Sequence, residues 1–441
     1  MKTAWQFLYD VVLIPLLGGA LRLAAIGNGK IRRGLRGRRG LLDRLREETE
    51  RLGPGKRVWV HSSSMGEFEQ AKPIIAALKE RHPHVRIIVT FFSPSGFDNS
   101  RTYKFADIIT YIPFDTPRNA RLFLDLVRPD AAVMVRYDVW PNHIWECSRR
   151  GIPVFLANAT MRGNSARLRW PWRSFHRHLY DQLTSILTVS ALDADTFRRF
   201  GTKRVTIAPV GETRYDQVLQ RSEEARKKHL IPPSVLKRKR VIVAGSTWPE
   251  DEEVLIPTIQ KLLQYDPGIL LIIVPHEPSE SALDAVESAL GNDVPSIRFS
   301  GLNDYRDEKV IIVDSVGILM ALYQYADVAY VGGSFKQNVH NVLEPAVYGL
   351  PVIYGPRCGN SQEAGELARR EGGFIVHDPQ DLYRLLRSLL RDPKERAAAG
   401  AASLALVREH AGATERFLNH LEPILWPVEK SRVKKNNARE S

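Results

Sequence analysis

The chain has 441 residues, 44% hydrophobic and 26% charged, the composition of a globular protein long enough for two ordinary domains. Its formal net charge of +13 calls for an anionic partner: nucleic acid, a phosphorylated small molecule or an acidic membrane surface. Two distant cysteines, Cys147 and Cys358, exclude a disulfide framework and a zinc knuckle, and fit a reducing compartment.

The first segment, WQFLYDVVLIPLLGGALRLAAIG, is apolar except for Asp10 and Arg22, and the arginine-rich GKIRRGLRGRRG follows at once. The apolar run after Asp10 is shorter than the roughly 20 residues a spanning helix needs. Pro15, Gly18, Gly19 and Arg22 interrupt it, so the expectation is an anchor lying in the interface or partly inserted. Its basic flank would face the anionic lipids of the cytoplasmic leaflet. A cleaved signal peptide and a buried amphipathic helix are the competing readings. Residues 1–40 are assigned to anchor and flank.

From residue 57, short β-rich runs alternate with segments of helical period: RVWVH, RIIVTFF, IITYI, AAVMVR, IPVFLA and ILTVS. After the charged, proline-marked EEARKKHLIPPSVLKRKR the series restarts with VIVAGS, ILLIIV, VIIV, DVAYVGG, PVIYG and GFIV. Alternation of this kind predicts βαβ units and parallel sheets, hence an α/β protein of two doubly wound domains, 41–210 and 211–425, hinged near 210–216. The basic tail, 426–441, is expected to be disordered. Ligands of such sheets bind at the carboxyl ends of strands, and two domains facing each other would form a transferase-like cleft.

In HSSSMGEFEQA, His61 ends a strand, Ser62 to Ser64 can cap the following helix, and Gly66 permits close approach of a ligand. Glu67 then falls in the first turn, where an acid stabilises the helix dipole by about 0.3–1 kcal/mol. Facing a cleft, the same carboxylate would serve as general base for a substrate hydroxyl. No GxSxG elbow surrounds Ser62, Ser63 or Ser64. Farther on, Gly332, Gly333 and Ser334 follow a strand and could offer backbone N–H groups to a phosphate. Asn341 and Glu344 have capping-box spacing, while Glu344 would also fit the vicinal hydroxyls of a ribose. A second polar cluster, Asn360 to Glu363, follows the next strand. DAD at 193–195 reads as the first turn of a helix capped by Ser190 rather than a metal motif. No HExxH or Walker loop is present, so no metal is expected.

These motifs together resemble the Kdo transferases, which pass 3-deoxy-D-manno-octulosonic acid from CMP-Kdo to a lipid A precursor. The resemblance runs through HSSSMGE, DVWPN, AGSTWPEDEE, VPHEP, VGGS, HNVLEPA and YGPRCGNSQEA, nearly the whole chain. It implies a GT-B fold, inverting transfer without a metal or other cofactor, and Glu67 as base, at the cytoplasmic face of the inner membrane. It further implies an acceptor side with Ser64, Gly66, Arg136 and Asp138. A CMP side would comprise Ser246, Thr247, Pro275, His276, Val316, Gly317, Gly333, Ser334, Asn341, Glu344, Asn360 and Glu363. Arg136 stands where many members have glutamate, His276 and Arg214 where they have arginine and lysine, and Asn338 and Val339 where a glycine pair is usual. A UDP-sugar GT-B enzyme is the alternative. A nucleic-acid or lipid binder would cluster its basic and aromatic residues on one surface, whereas here the basic residues gather at flank, linker and tail, so no nucleic-acid partner is expected. Oligomeric state is not legible.

Overall fold

A computed structural model describes residues 3–427; most of the expected disordered tail lies outside them. The first sheet comprises β1 (Arg57–Ser62), β2 (Arg86–Phe91), β3 (Ile108–Tyr111), β4 (Ala131–Val135), β5 (Val154–Ala159), β6 (Ser185–Thr188) and β7 (Thr206–Pro209). The second comprises β8 (Arg240–Thr247), β9 (Ile269–Pro275), β10 (Ser296–Arg298), β11 (Val310–Ile312), β12 (Val328–Val331), β13 (Val352–Tyr354) and β14 (Gly373–Ile375). All pairings are parallel, in the orders β3-β2-β1-β4-β5-β6-β7 and β10-β11-β9-β8-β12-β13-β14. Every expected strand is present. The two additional ones, β7 and β10, are edge strands with half-exposed side chains, and so lack the apolar run that marks a buried strand.

Helices cover both faces of each sheet, so alternate residues of one strand enter different cores. In β1, Trp59 packs with Ile88, Ala132 and Met134, whereas Val58 and Val60 pack with Ile87, Val89 and Val133 on the other face. Each sheet reverses its winding once. In the first the reversal falls between β1 and β4, in the second between β8 and β12. These are the places where the loops at strand carboxyl ends part and leave a crevice.

Among the described residues the compact units are 3–217 with 412–427, and 218–411, which differs from the expected division at both ends. The helix Ala413–Leu425 belongs to the first unit because Phe417, Leu418, Leu421 and Leu425 enter the core beside Val58 and Val60. Asp216 receives the N–H groups of Gly412 and Thr414 at 2.5 and 2.6 Å. Trp426, placed in the tail from sequence, stacks on His82 with centroids 3.6 Å apart.

Residues 3–40 are not separable from the fold either. The helical segment Ala4–Gly27 lays one side against the first unit: Tyr9 donates to Asp115 at 2.7 Å, and Asn142 donates to Asp10 at 2.8 Å. Its other side leaves Leu16, Leu23 and Ile26 exposed, at 66%, 71% and 75% of their surface, unlike a buried amphipathic helix. Within the arginine flank, Arg38 donates to the carbonyls of Gly34, Phe92 and Ile112 and lies over the rings of Phe92, Tyr111 and Phe114. It therefore belongs to the packing of the first unit.

Candidate functional site

At the first reversal, β1 delivers His61 beside Met134 of β4, and the loop after β4 brings Asp138 to the same place. His61 is fully buried among three partners: Thr90 Oγ1 lies 2.9 Å from its Nδ1, while Asp138 Oδ2 and the Trp140 indole nitrogen lie 3.0 and 2.9 Å from its Nε2. The Trp59 indole already donates to Thr90 at 2.7 Å. The network is satisfied when the Thr90 hydroxyl donates to Nδ1, leaving the Nε2–H for Asp138. Ser63 Oγ and the Trp140 indole, the latter at 3.2 Å, donate to the same carboxylate oxygen. Burial alone would raise the pKa of Asp138, but the His61, Ser63 and Trp140 donors outweigh it and hold it below the ordinary aspartate value.

Glu67 sits in the first turn of the helix Met65–Arg81, reaching back to the Ser64 N–H at 3.0 Å, the carboxylate half of a capping box. It is 7% exposed. Burial first, then the charge of Asp138, raise its pKa, and the Ser64 and Ser63 N–H groups and His61 offset this only in part. Two neighbouring carboxylates are thus pushed apart in proton affinity, the pattern by which acid and base roles divide within one site.

Ser64 and Gly66 flank Glu67. A Cβ on Gly66 would meet nothing within 4 Å, so packing does not require glycine there. Arg136 caps β4 in the left-handed region at φ 70°, where a side chain is strained, and its Nε is buried without a hydrogen-bond partner among the described residues.

At the second reversal, Gly332 after β12 lies against the end of β8, where a Cβ would come within 2.3 Å of the Ser246 carbonyl oxygen. Ser246 itself has φ 55°. The expected phosphate cradle is corrected here: the Gly332 N–H donates to Gly245 O at 2.9 Å, and the Gly333 N–H to Asp251 at 2.7 Å. Ser334 Oγ is likewise engaged, accepting from the Gly355 N–H at 2.6 Å. Gly332 serves close packing of β8 against β12, whereas Gly333, at φ 94°, makes room for the Asn338 carbonyl of its own loop.

The remaining donor-side candidates gather at the same edge of the sheet. Thr247 O accepts the His276 N–H at 2.9 Å, directly after Pro275. The His276 ring stacks on both Trp248 and His340, with centroids at 4.8 and 4.4 Å. Trp248 donates to His340 Nε2 at 2.9 Å, and burial, then His276, pull the His340 pKa down to about 4. Asn341 accepts from Leu343 N–H at 3.2 Å and donates to Glu344 at 3.3 Å, and Arg221 lies 3.5 Å from Glu344. The expected reciprocal capping box is therefore replaced by a side-chain pair at the start of the short helix Leu343–Ala346. Asn360 ties this loop to the next by donating to Val339 O at 3.1 Å, and Glu363 accepts from Ser361 at 2.8 Å. Val316 and Gly317 occupy the turn after β11, with Val316 78% exposed.

Asp193 accepts from Ser190 at 2.5 Å and from Met161 N–H at 2.8 Å, and Asp195 pairs with Arg198, so the DAD motif is a helix start. Among the described residues no three His, Cys, Asp or Glu side chains stand together as a metal-binding group. Arg214 pairs with Glu212. Sequence reasoning missed Thr90, Trp140, Trp248 and His340. Thr90 carried a usable signal, being a polar residue inside the apolar run RIIVTFF.

A family model for 3-deoxy-D-manno-octulosonic-acid transferases matches residues 33–217. The 3-deoxy-D-manno-octulosonic acid transferase of Haemophilus influenzae is 28% identical over 96% of this chain and 99% of its own length. That of Aquifex aeolicus is 30% identical over 77% of this chain and 87% of its own. Among solved structures, a UDP-N-acetylglucosamine 2-epimerase from Listeria monocytogenes shares the fold, with a TM-score of 0.58 at 13% identity over 84% of this chain and 97% of that one. Two doubly wound domains of this kind are the GT-B architecture, and with relatives matched over 87% and 99% of their own length the chain belongs to the 3-deoxy-D-manno-octulosonic acid transferase family of glycosyltransferases.

Proposed function

We propose that this transferase takes Kdo from CMP-Kdo and places it on a lipid A precursor, inverting the anomeric carbon, with Glu67 as general base. The supporting observation is the carboxylate pair at the first reversal, Glu67 raised and Asp138 lowered in pKa. A hydroxyl oxygen of the acceptor attacks the anomeric carbon of Kdo while the bond from that carbon to the CMP phosphate oxygen breaks. CMP leaves with the electron pair, and Glu67 takes the hydroxyl proton. A raised pKa suits that task, because the base accepts the proton readily as the new bond forms. Asp138 stays ionised on its three donors and orients the acceptor beside Ser64 and Gly66, whose open first turn admits close approach. Arg136, half-buried at the end of β4, supplies a positive charge for an anionic group of the acceptor.

The donor side in this reading is the second reversal. Ser246, Thr247, Pro275 and His276 border it from β8 and β9, Gly333 and Ser334 shape it, and Val316 and Gly317 form its rim. Asn341 and Glu344 take the ribose hydroxyls, with Asn360 and Glu363 holding the adjoining loop. No metal ion is written into the transfer. The exposed apolar side of Ala4–Gly27 lies in the interface of the inner membrane, on its cytoplasmic face, and the arginines beyond it meet anionic lipid. Asp10, paired with Asn142, is thereby kept from hydrocarbon.

Mass spectrometry of the product formed from CMP-Kdo and a lipid A precursor tests the reading. A mass gain of Kdo units on the lipid is expected. Transfer from a UDP-sugar and none from CMP-Kdo would overturn it.

A further inference from the structure

Beside the first reversal, a groove of about 590 Å³ opens between the helix Ala4–Gly27 and the first unit, within the size range of ligand pockets. Ile14, Leu17 and Leu21 form one wall, and Phe92, Phe114 and Trp140 the other. Trp140 joins the groove to the chemistry: its ring stacks on Phe92 at 5.0 Å while its indole N–H reaches Asp138. The polar groups in the wall are already engaged. Asp115 accepts from Tyr9, Asn142 and His143, Thr116 caps the helix Pro117–Val127, and Asn119 donates to Phe114 O. A sugar or nucleotide would find its hydroxyls unmatched there, whereas an apolar chain meets no such cost.

Two exposed cations, Arg22 and Arg39, also line the groove. Its helical wall turns an apolar side outward through Leu16, Leu23 and Ile26, so a chain can enter from a bilayer without crossing water. The occupant these features select has an apolar tail and an anionic head. We infer that the groove seats one fatty acyl chain of the acceptor lipid, with Arg22 and Arg39 meeting a phosphate of the same molecule. This rests on the reading above that the acceptor is a phosphorylated lipid. It makes the groove a ruler, setting the acceptor hydroxyl relative to Glu67 by how deeply a chain inserts.

Gly18 supplies the test, because it lines the groove and a Cβ there meets nothing within 4 Å, so a side chain can start from it into the open space. The full chain on phosphatidylethanolamine vesicles is irradiated with myristic acid carrying a diazirine near its methyl end, and adducts are mapped by mass spectrometry. Adducts are expected on the peptides of Leu17, Leu21 and Phe92, lost in Gly18→Phe and in Leu21→Trp, and kept in Leu23→Phe on the outward side. An acylated, phosphorylated glucosamine disaccharide is expected to compete, and phosphatidylglycerol to compete far less. Adducts that survive both filling variants, or equal competition by phosphatidylglycerol, would overturn the assignment. The expected labelling and competition without any transfer from CMP-Kdo would uphold the groove and refute the proposed reaction.

Discussion

Trp59 and His61, two residues apart on β1, share one partner: the Thr90 hydroxyl of β2 lies 2.7 Å from the indole nitrogen and 2.9 Å from the imidazole Nδ1. All three groups are buried, so the hydroxyl fixes both rings and, through His61, the donor offered to Asp138. Thr90→Val keeps the shape and strands two buried polar groups, each costing about 1–3 kcal/mol. The apparent melting temperature of the first unit should fall, and transfer should fall with it, while calorimetric CMP binding stays as it was. An unchanged melting temperature would mean the two rings need no anchor.

Glu67→Gln removes the proposed base and keeps the size of the side chain. Turnover should drop by about 10²–10⁴, the usual worth of general base catalysis. The stability consequence has the opposite sign. Because the folded pKa of Glu67 is raised, its ionisation costs stability above the ordinary glutamate value, increasingly so as pH rises through the folded value. The glutamine variant should therefore melt at the same temperature or higher at neutral pH. Near-normal turnover would remove Glu67 from the chemistry.

Asp138→Asn tests the coupling between the carboxylates. Loss of its charge removes a cause that raises the Glu67 pKa, so the acid limb of the kcat/KM profile should move to lower pH. Residual activity with a limb in its original place would show that the limb belongs to another group.

The cluster of Trp248, His276 and His340 at the second reversal carries a pH signature of its own. His340 is held neutral, its pKa pulled from 6.5 to about 4, so the fold prefers the unprotonated ring. Stability from this source is present above pH 6.5 and is lost as pH falls toward 4. Thermal unfolding of His340→Asn should show a shallower decline across that window than the parent chain. Parallel curves would separate the shift from stability.

The proposed membrane attachment runs through the outward side of Ala4–Gly27. Leu16→Glu combined with Leu23→Glu should release the protein from vesicles in moderate salt, with its folding unchanged because both residues are exposed. Retention of the double variant in high salt would place the attachment elsewhere.

Much of this organisation was legible in the sequence because buried parallel strands read as apolar runs, such as ILLIIV for β9. Edge strands like Thr206–Pro209 carry no such run and were missed. Glu67 was legible because a strand, a serine loop and a helix start follow one another locally. Its relation to Asp138 was not, since it depends on β1 lying beside β4, with β2 and β3 on the far side of β1. The purpose of Gly332 was misjudged for the same kind of reason: the Ser246 carbonyl it accommodates is 86 positions away, and no local pattern announces it. The C-terminal helix shows a helical period, but the period does not reveal which core its apolar side will join.

That helix makes the second unit an insertion within the first. The ribosome releases Phe417, Leu418, Leu421 and Leu425 only after all of 218–411 has been made, although their partners Val58 and Val60 emerged long before. Until then the first unit carries an uncovered apolar surface, while the second already has its complete sequence and can fold as a unit. Synthesis order and folding order are therefore inverted: the domain begun first is finished last. A nonsense mutation or proteolytic cut near residue 411 would leave 218–411 whole and strip the first unit of the helix that covers Val58 and Val60, so a break far along the chain is felt beneath β1.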